Sequence, residues 1–432
     1  MSSNNKKVAF KTFGCKLNFS ESSALGRSLT EKGYEITQND TEADYYIVHS
    51  CTVTSLAEKK ARQAIRHLKK TNPKAKIGVI GCYVQLRGDE LIKIPEVDFI
   101  ADNEDKYRLA EILGEYDSKG EFYGMNQNTG YHSAYSLNDR TRSFLKVQDG
   151  CDYYCTYCAV AYARGKSRSD SIGNVVKEAK ELINNGIKEI VLTGVNVGDF
   201  GKGTSETLYD LLRALEKTEG LTRLRLSSIE PNLLENRIID LVSESKTIMP
   251  HFHIPLQSGS DTVLQRMKRR YNTDLFKEKV LYIKKQIPDA CIAADVITGF
   301  PGETIKEFEE TYRFIDSLPL SYLHVFTYSD RPDALASKMD NKVSAQVKKE
   351  RSQQLHNLSD KILRRFYDEN AGTVREVLFE ETKGDEIFGW TENYVRVKTS
   401  KENAAHNVIR KVILASTDLD GAVNATITDD ND

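Results

Sequence analysis

The sequence predicts an α/β protein in three parts: an N-terminal doubly wound parallel sheet, a central partial (βα)6 barrel and a small C-terminal all-β barrel. Two series of alternating strands and helices, followed by a series of short alternating strands, predict this order. The chain has 432 residues, 39% of them hydrophobic, and a formal net charge of −2. This composition is ordinary for a globular protein of several domains, and the net charge by itself does not indicate a nucleic-acid-binding protein.

The N-terminal part is predicted to span residues 6–117. Helical stretches separate its apolar strands, which are predicted at 7–15, 44–51, 76–82 and 97–103. Strands that alternate with helices in this way form parallel sheets with helices on both faces. Residues 118–140 are rich in Gly, Asn, Ser and Tyr and are predicted to form a linker.

The second alternating series predicts a parallel barrel within residues 141–370. Its strands are predicted at 144–150, 189–195, 224–229, 251–257, 291–300 and 322–328. Six successive βα units are typical of a large part of a (βα) barrel. From residue 371 to 432 the pattern changes to short alternating strands punctuated by glycines, which predicts a small β-barrel.

The chain carries seven cysteines. It has no apolar stretch long enough to cross a membrane and no apolar signal region at its start. We therefore expect a cytoplasmic protein, in which structural disulfides are rare. Cysteines in such a protein usually serve metal binding or catalysis.

The strongest signal is the segment CDYYCTYC, which places Cys151, Cys155 and Cys158 in the spacing C-x3-C-x2-C. Three thiolates on one short loop can hold three irons of a four-iron cluster. Because no fourth cysteine follows, one iron is left open for a substrate. A structural zinc site is the alternative, but such sites normally have four protein ligands. The loop follows the first barrel strand, and active sites of these barrels lie at the C-terminal ends of strands.

The other strand ends carry residues that we predict to bind a cofactor. Glycines there allow close approach of a ligand to the backbone, and polar side chains offer hydrogen bonds. The alternative for each polar residue is that it caps the following helix. The candidates are Gly194, Asn196, Ser228, Glu230, Gln257, Ile297 and Gly299.

Three further cysteines, Cys15, Cys51 and Cys82, each lie at the C-terminal end of a predicted parallel strand. In a doubly wound sheet these ends lie along one edge, so the three thiols are expected to converge. The alternative is three separate buried cysteines, since free cysteine is commonly buried. Cys291, at the start of a barrel strand, is interpreted as a core residue.

Together these motifs resemble the methylthiotransferase family of radical S-adenosylmethionine enzymes, over essentially the whole chain. The segments that carry the resemblance are FGCKLNFSES, HSCTVTSLAEKKARQAIR, GCY, CDYYCTYC, ARGKSRS and HIPLQSGSD. The resemblance implies two 4Fe-4S clusters. Cys151, Cys155 and Cys158 would hold the one that cleaves S-adenosylmethionine to a 5′-deoxyadenosyl radical. Cys15, Cys51 and Cys82 would hold an auxiliary cluster that carries the sulfur.

The resemblance also implies that S-adenosylmethionine acts both as methyl donor and as radical source, with Tyr157 at the cofactor. A reductant such as flavodoxin or ferredoxin is expected. The small terminal barrel resembles a TRAM domain, which binds RNA. No membrane partner is expected, and the sequence does not indicate an oligomeric state.

The segments GCKLN and CTVT resemble those of the family branch that acts on N6-threonylcarbamoyladenosine at tRNA position 37, in the anticodon stem-loop. Other branches act on N6-isopentenyladenosine in tRNA or on an aspartate of a ribosomal protein. Two different kinds of protein remain as alternatives. One is a radical enzyme with a single functional cluster, and the other is a non-catalytic RNA-binding protein stabilised by metal.

An RNA partner requires cations, because phosphate contacts dominate affinity. The C-terminal part from Asn370 onward has 7 Lys and Arg against 12 Asp and Glu, a net charge of −5, so RNA binding by that barrel would need a local basic face. Better candidates for RNA contacts lie on a basic helix, after the cysteine loop and in the segment MKRRY. For the basic helix, the alternative is an ordinary solvated surface helix. The predicted RNA contacts are Lys59, Arg62, Arg66, Arg164, Arg168 and Arg269.

Overall fold

A computed structural model describes residues 6–39, 41–51, 55–119, 123–124, 130–137, 141–417 and 421–428. Side chains at 55–56, 118–119, 123–124 and 416–417 are left undescribed. Of the linker expected at 118–140, residues 118–119, 123–124 and 130–137 lie within the described part. The domain boundaries expected from the sequence therefore stay predictions at that point.

The N-terminal part is a six-stranded, wholly parallel sheet in the order β2-β1-β3-β4-β5-β6. The strands are β1 Lys7–Thr12, β2 Glu35–Ile36, β3 Tyr45–His49, β4 Lys76–Ile80, β5 Phe99–Ala101 and β6 Tyr123–Gly124. The helices are α1 Lys16–Glu31, α2 Ser55–Thr71, α3 Cys82–Leu91 and α4 Leu109–Lys119. The sequence predicted four of these strands; β2 and β6 have two residues each, too few to show a periodicity.

Helices cover both faces of this sheet, which confirms the doubly wound arrangement. Leu25 and Leu29 of α1 share one core cluster with residues of α4. Ala61, Ile65 and Leu68 of α2 pack on the opposite face. Because both faces are covered, every residue of β3 is buried, as is usual for parallel sheets.

The central part contains six parallel strands, β8, β11, β12, β13, β14 and β15, with an antiparallel strand β7 beside β8. The strands are β7 Ala134–Tyr135, β8 Arg142–Lys146, β9 Gln148–Asp149, β10 Arg168–Ser169, β11 Glu189–Thr193, β12 Arg223–Leu226, β13 His251–His253, β14 Cys291–Thr298 and β15 Tyr322–Thr327. The helices are α5 Val160–Arg164, α6 Ile172–Asn184, α7 Leu208–Glu216, α8 Asn236–Glu244, α9 Asp261–Arg266, α10 Thr273–Gln286, α11 Ile305–Asp316 and α12 Ala345–Asn370.

Two isolated backbone pairings join the halves of this curved sheet, Leu224 with Ile248 and Ser228 with His253. Helices of the βα units pack their apolar residues on the outside of the strands, in one large cluster. The arrangement confirms the partial (βα)6 barrel. Capping residues define where the helices begin. At α7, for example, Thr207 and Asp210 form a capping box.

The C-terminal part is a closed barrel in the order β16-β17-β18-β20-β19. Its strands are β16 Val374–Lys383, β17 Glu386–Thr391, β18 Arg396–Ser400, β19 Ile409–Thr417 and β20 Val423–Ile427. Cys291 is fully buried in the cluster that contains this barrel's apolar residues. The interpretation of Cys291 as a core residue is therefore confirmed.

The C-terminal barrel covers the N-terminal ends of the central strands. Arg223 of β12 donates hydrogen bonds to the carbonyls of Trp390 (3.1 Å) and Glu376 (2.7 Å). Arg142 of β8 pairs with Glu380, with 2.6 Å between Nε and Oε1. The opposite end of the central strands, where the cysteine loop begins, is left free of this barrel. Among the helices of the described part, none has the length and apolar character of a membrane span.

Two glycine-to-alanine substitutions in the N-terminal part are expected to act in opposite directions. A Cβ on Gly78 of β4 would overlap the ring of Phe99, whereas a Cβ on Gly114 of α4 meets nothing within 4 Å. Gly78→Ala should destabilise the protein by about 1–3 kcal/mol through overpacking. Gly114→Ala should stabilise it by about 0.5–1 kcal/mol, because alanine favours helices. Urea unfolding checks both; equal effects would contradict the packing assigned to Gly78.

Candidate active site

The first cysteine set lies on a loop pinned at both ends. The loop follows β8 and β9, and β9 pairs with β10 just after it. Gly150 has a positive φ of 71°, and a Cβ there would overlap the carbonyl oxygen of Lys166. The Cys151 amide donates to the carbonyl of Gly165 (3.0 Å), and the Thr156 amide donates to that of Met267 (3.1 Å). The loop conformation is thus fixed by neighbouring backbone.

This loop turns its three sulfurs toward one another. The amides of Tyr153 and Val160 donate to the sulfurs of Cys151 and Cys158, each at 3.4 Å. Burial raises the pKa of Cys158 to about 12, and the neighbouring sulfurs of Cys155 and Cys151 add to that shift. Cys155 is buried, and Cys151 and Cys158 are partly buried. Thiols grouped in this way suit a cationic metal centre, which binds them as thiolates.

Arg269 completes the surroundings of this loop. Its Nη1 donates to the Cys155 sulfur (3.0 Å) and to the Tyr157 hydroxyl (3.2 Å), and its Nη2 pairs with Glu230. Its side chain is only 2% exposed. The expectation that Arg269 contacts RNA is therefore wrong, because internal acceptors hold the guanidinium beside the cysteine loop.

Buried polar atoms without partners lie at the ends of the neighbouring strands. In the described part of the chain, the side-chain amide of Asn196, the hydroxyls of Ser227 and Thr298 and the Oε1 of Gln257 find no hydrogen-bond partner. A buried polar group without a partner is costly, so such groups in a native protein call for a ligand. These atoms fit a polar cofactor such as S-adenosylmethionine.

The other expected cofactor residues have more mixed surroundings. Tyr157 and Ile297 pack in one apolar cluster close to the loop. Ser228 pairs through its backbone with His253. A Cβ on Gly194 would lie 2.9 Å from the Oε1 of Gln148, and one on Gly299 would overlap Lys348. The absence of a side chain at both glycines is thus already required by protein packing. Sequence reasoning missed Ser227 and Thr298, which neighbour chosen residues.

The second cysteine set lies at the C-terminal edge of the N-terminal sheet. Cys15 precedes α1, Cys51 follows β3 and Cys82 begins α3 after β4. Gly14 has a φ of 116°, and a Cβ there would overlap the Cβ of Cys51 and lie 3.3 Å from its sulfur. The backbone before Cys15 therefore lies directly against Cys51.

The second set faces the first across α5. Asn18 Oδ1 lies 3.7 Å from the Cys15 sulfur and accepts a hydrogen bond from Arg164 Nη2 at 2.9 Å. Asn103 Nδ2 lies 3.6 Å from the Cys82 sulfur and donates to the Ala163 carbonyl at 2.8 Å. Because α5 directly follows Cys158, the two cysteine sets lie on either side of this one short helix.

A buried network of charges holds this arrangement. Glu21 of α1 pairs with Lys106 (2.7 Å), Lys146 (3.0 Å) and Arg164 (3.0 Å), and Asp149 pairs with the last two. The two carboxylates and their three cationic partners are at most 4% exposed. Burial alone would raise the pKa of Glu21, but Arg164, Lys106 and Lys146 hold that pKa well below its usual value.

The remaining RNA expectations divide into buried and exposed residues. Arg164 is 2% exposed and Arg168 donates to the carbonyls of Gly130 (2.6 Å) and Arg164 (2.7 Å). The expectation for Arg164 is wrong, because its buried guanidinium group serves internal acceptors. Arg168 is partly exposed, and its RNA contact stays a prediction. Lys59 and Arg66 of α2 are exposed, and Arg62 donates to the Tyr83 hydroxyl. Their RNA contacts stay predictions.

Sequence reasoning named the basic segments near the cysteine loop but missed the exposed aromatic residues that accompany them. Tyr154 and Tyr162 are 41% and 40% exposed, with ring centroids 5.5 Å apart. Lys166 is exposed nearby, and the exposed Arg270 lies over the Tyr153 ring at 4.0 Å. Aromatic side chains with cations are typical of surfaces that bind unstacked bases. The signal was available in the sequence, since both tyrosines lie within CDYYCTYCAVAYARGK.

Comparison with known proteins agrees with this geometry. Residues 7–102 match the model described as Uncharacterized protein family UPF0004, and residues 145–315 match the Radical SAM superfamily. The chain is 38% identical to the threonylcarbamoyladenosine tRNA methylthiotransferase MtaB of Aquifex aeolicus (strain VF5), over 94% of this chain and 100% of that protein. The chain belongs to the radical S-adenosylmethionine tRNA methylthiotransferase family. The family uses a 4Fe-4S cluster and S-adenosylmethionine.

Other relatives and solved structures extend the comparison. MtaB of Bacillus subtilis (strain 168) is 38% identical over 90% of this chain and 89% of its own. A tRNA-2-methylthio-N(6)-dimethylallyladenosine synthase of Desulfotalea psychrophila (strain LSv54 / DSM 12343) is 34% identical over 88% of this chain and 89% of its own. The methyltransferase TsrM of Kitasatospora setae shares the fold, with a TM-score of 0.56, 13% identity and coverage of 75% and 72%.

Removal of one loop cysteine tests the first site. Cys155→Ala should lose about four irons per chain, the content of one four-iron cluster. It should also lose reductive cleavage of S-adenosylmethionine, measured as 5′-deoxyadenosine. Cys291→Ala, which removes a buried thiol from a core remote from the loop, should keep both. Cleavage that survives in purified Cys155→Ala would contradict the ligand assignment.

Neutralising Glu21 tests the buried network. Glu21→Gln leaves Lys106, Lys146 and Arg164 buried with one fewer anion, so the free energy of unfolding should fall by about 3–5 kcal/mol. Glu31→Gln removes an exposed carboxylate from the same helix, and should change that free energy by less than about 0.5 kcal/mol. Urea unfolding of the two variants decides; equal small effects would show that the network contributes little.

Proposed function

We propose that the protein attaches a methylthio group to carbon 2 of N6-threonylcarbamoyladenosine at tRNA position 37, beside the anticodon. The observation that carries this proposal is the placement of two three-cysteine sets on either side of the short helix α5. One set suits a cluster that generates a radical, and the other suits a cluster that delivers sulfur. A radical enzyme with one cluster would have no use for the second set.

The choice of the threonylcarbamoyl substrate is supported by relatives. Four proteins named threonylcarbamoyladenosine tRNA methylthiotransferase are 36% to 38% identical to this chain. Proteins named tRNA-2-methylthio-N(6)-dimethylallyladenosine synthase are 33% to 34% identical. Methylthiolation of N6-isopentenyladenosine is therefore the second candidate.

Each part of the chain has a role in this proposal. When bound, a 4Fe-4S cluster at Cys151, Cys155 and Cys158 supplies the 5′-deoxyadenosyl radical from S-adenosylmethionine. Asn196, Ser227, Gln257 and Thr298 hold the polar groups of that cofactor, and Arg269 balances the charge of the Cys155 thiolate. Cys15, Cys51 and Cys82 hold the auxiliary cluster. A small reductant such as flavodoxin or ferredoxin supplies electrons.

The RNA approaches the protein from the side of the cysteine loop. Tyr154 and Tyr162 offer rings for stacking of unpaired bases, while Lys166 and Arg270 offer cations for phosphates. The target adenine has to leave its stack to enter, as bases do in enzymes that act on them. Lys59 and Arg66 of α2 extend the basic surface toward the anticodon stem.

Mass spectrometry of tRNA nucleosides tests the substrate. Cells that lack the gene should lose 2-methylthio-N6-threonylcarbamoyladenosine and accumulate the precursor without the methylthio group. The Cys51→Ala variant should fail to restore the product but should still cleave S-adenosylmethionine in the purified state. Loss of a methylthio group from isopentenyladenosine would favour the second candidate. An unchanged nucleoside profile would remove tRNA as the substrate, and the ribosomal-protein aspartate would be measured next.

A further inference from the structure

A cavity of about 510 Å³, here called the Lys16 cavity, opens between the start of α1 and the interior of the central barrel. All three parts of the chain line it. Gly14 and Lys16 come from the N-terminal part and flank Cys15, so the cavity begins beside the second cysteine set. Trp390 and Tyr394 of the C-terminal part form its far wall.

The Lys16 cavity also borders the strand ends expected to hold the cofactor. His253 lines it, and the backbone of His253 pairs with Ser228. The backbone amide of Gln257 donates to the carbonyl of Asp295 at 2.7 Å, and the side chain of the same Asp295 holds His253. A base that lies between the two cysteine sets therefore has this cavity next to it.

The lining of the cavity is cationic and aromatic. Lys16, Arg142 and Arg225 line it together with three histidines, and none of its described lining residues is acidic. Three carboxylates of this region pair with lining residues. Asp295 pairs with His253 (2.8 Å), and the other two pair with arginines. Glu189 pairs with Arg225 (2.8 Å) and Glu380 pairs with Arg142 (2.6 Å). The charges of Arg225 and Arg142 are thus already paired with carboxylates of the protein.

Lys16 is the cation that is not balanced. Among the residues that the structure describes, no carboxylate forms an ion pair with the Lys16 ammonium. The ammonium lies over the Phe144 ring, with 6.0 Å from Nζ to the ring centroid. Lys16 is exposed, and its side chain lines the cavity. An ammonium group that has no carboxylate partner and lines a cavity of this kind favours a ligand that carries a carboxylate.

A pair of histidines lies on the wall of the same cavity. The rings of His253 and His324 are 5.0 Å apart, and His253 Nε2 is held by Asp295 Oδ1 at 2.8 Å. Within the described part, the ring nitrogens of His324 have no hydrogen-bond partner. Imidazole nitrogens that are free in this way bind hydroxyl and amide groups.

We propose that the Lys16 cavity receives the N6 substituent of the target adenosine, with the Lys16 ammonium paired to a carboxylate of that substituent. This inference rests on the proposed function and adds the contact that selects the substrate. A threonylcarbamoyl group carries one carboxylate, one hydroxyl and urea N–H groups, which match Lys16 and the histidine pair. An isopentenyl group is a hydrocarbon and would leave all of them without partners, a difference that polar sites use to reject analogues.

Matched RNAs test the proposal. Three anticodon stem-loops differ only at position 37, which carries N6-threonylcarbamoyladenosine, the same nucleoside with its carboxylate replaced by a carboxamide, or N6-isopentenyladenosine. Binding is measured by fluorescence anisotropy, and methylthiolation is measured by mass spectrometry on the enzyme with both clusters. The wild-type protein should bind the carboxylate RNA about 10- to 100-fold more tightly than the carboxamide RNA, the range for one charge-assisted hydrogen bond.

Three variants assign this preference to Lys16. Lys16→Met should reduce it to less than about threefold, and Lys16→Arg, which keeps the charge, should retain most of it. Lys32→Met removes an exposed lysine just after the same helix and should leave the preference unchanged. Iron content shows whether Lys16→Met still folds around both clusters. If Lys16→Met does not fold around both clusters, the binding of the carboxylate and carboxamide RNAs by the wild-type protein still tests the proposal.

The outcomes separate this inference from the proposed function. Equal binding of carboxylate and carboxamide RNAs by the wild-type protein overturns the inference, as does a preference that survives in Lys16→Met. Methylthiolation of the isopentenyl RNA alone overturns the proposed substrate instead. A further stoichiometric metal ion that is lost in His324→Leu would place a metal among His253, Asp295 and His324, whose ligand atoms lie within 4.8 Å, and would also overturn the inference.

Discussion

The position of the two cysteine sets depends on one buried carboxylate, that of Glu21. It accepts from Lys106 of its own part and from Lys146 and Arg164 of the central barrel. Buried ions are tolerated only when each is paired, because their desolvation costs several kcal/mol per ion. Any rearrangement that separates the two parts would leave charges on both sides without partners. The separation between the cysteine sets is therefore set by the fold, and no hinge is needed to bring them together.

Further contacts between the three parts of the chain extend this rigidity. Arg87 of α3 pairs with Asp333 through two hydrogen bonds of 2.9 and 2.7 Å, and Glu58 of α2 pairs with Arg331. At the other end of the central strands, Arg223 and its neighbours bind the backbone of the C-terminal barrel. The barrel interior is thus covered at its N-terminal end, which leaves the side of the cysteine loop as the way in. Exclusion of water from such a space strengthens every charge interaction within it and protects reactive intermediates.

Much of this could be predicted from local sequence pattern. Cys15, Cys51 and Cys82 follow strands whose apolar runs are unmistakable, so their convergence followed from sheet topology alone. Arg164 and Arg269 were misassigned to RNA, because a sequence shows a charge but not its partner, and Glu21 is 143 residues from Arg164. Lys16 was overlooked for the opposite reason. Only the three-dimensional arrangement shows that a lysine next to a cysteine faces a cavity lined by a distant barrel.

The charges of the chain bear on how an RNA is selected. The whole protein has a formal net charge of −2, and the arginines nearest to the cysteine loop serve internal acceptors. Phosphate attraction at the entrance is therefore limited to a few exposed groups such as Lys166 and Arg270. Phosphate contacts carry no sequence information. When such contacts are few, discrimination between RNAs depends on the protein groups that contact the base. Lys16, which lies beside Cys15 and lines a cavity, is suited to such discrimination, because an ammonium group favours a substituent that carries a carboxylate over one that does not.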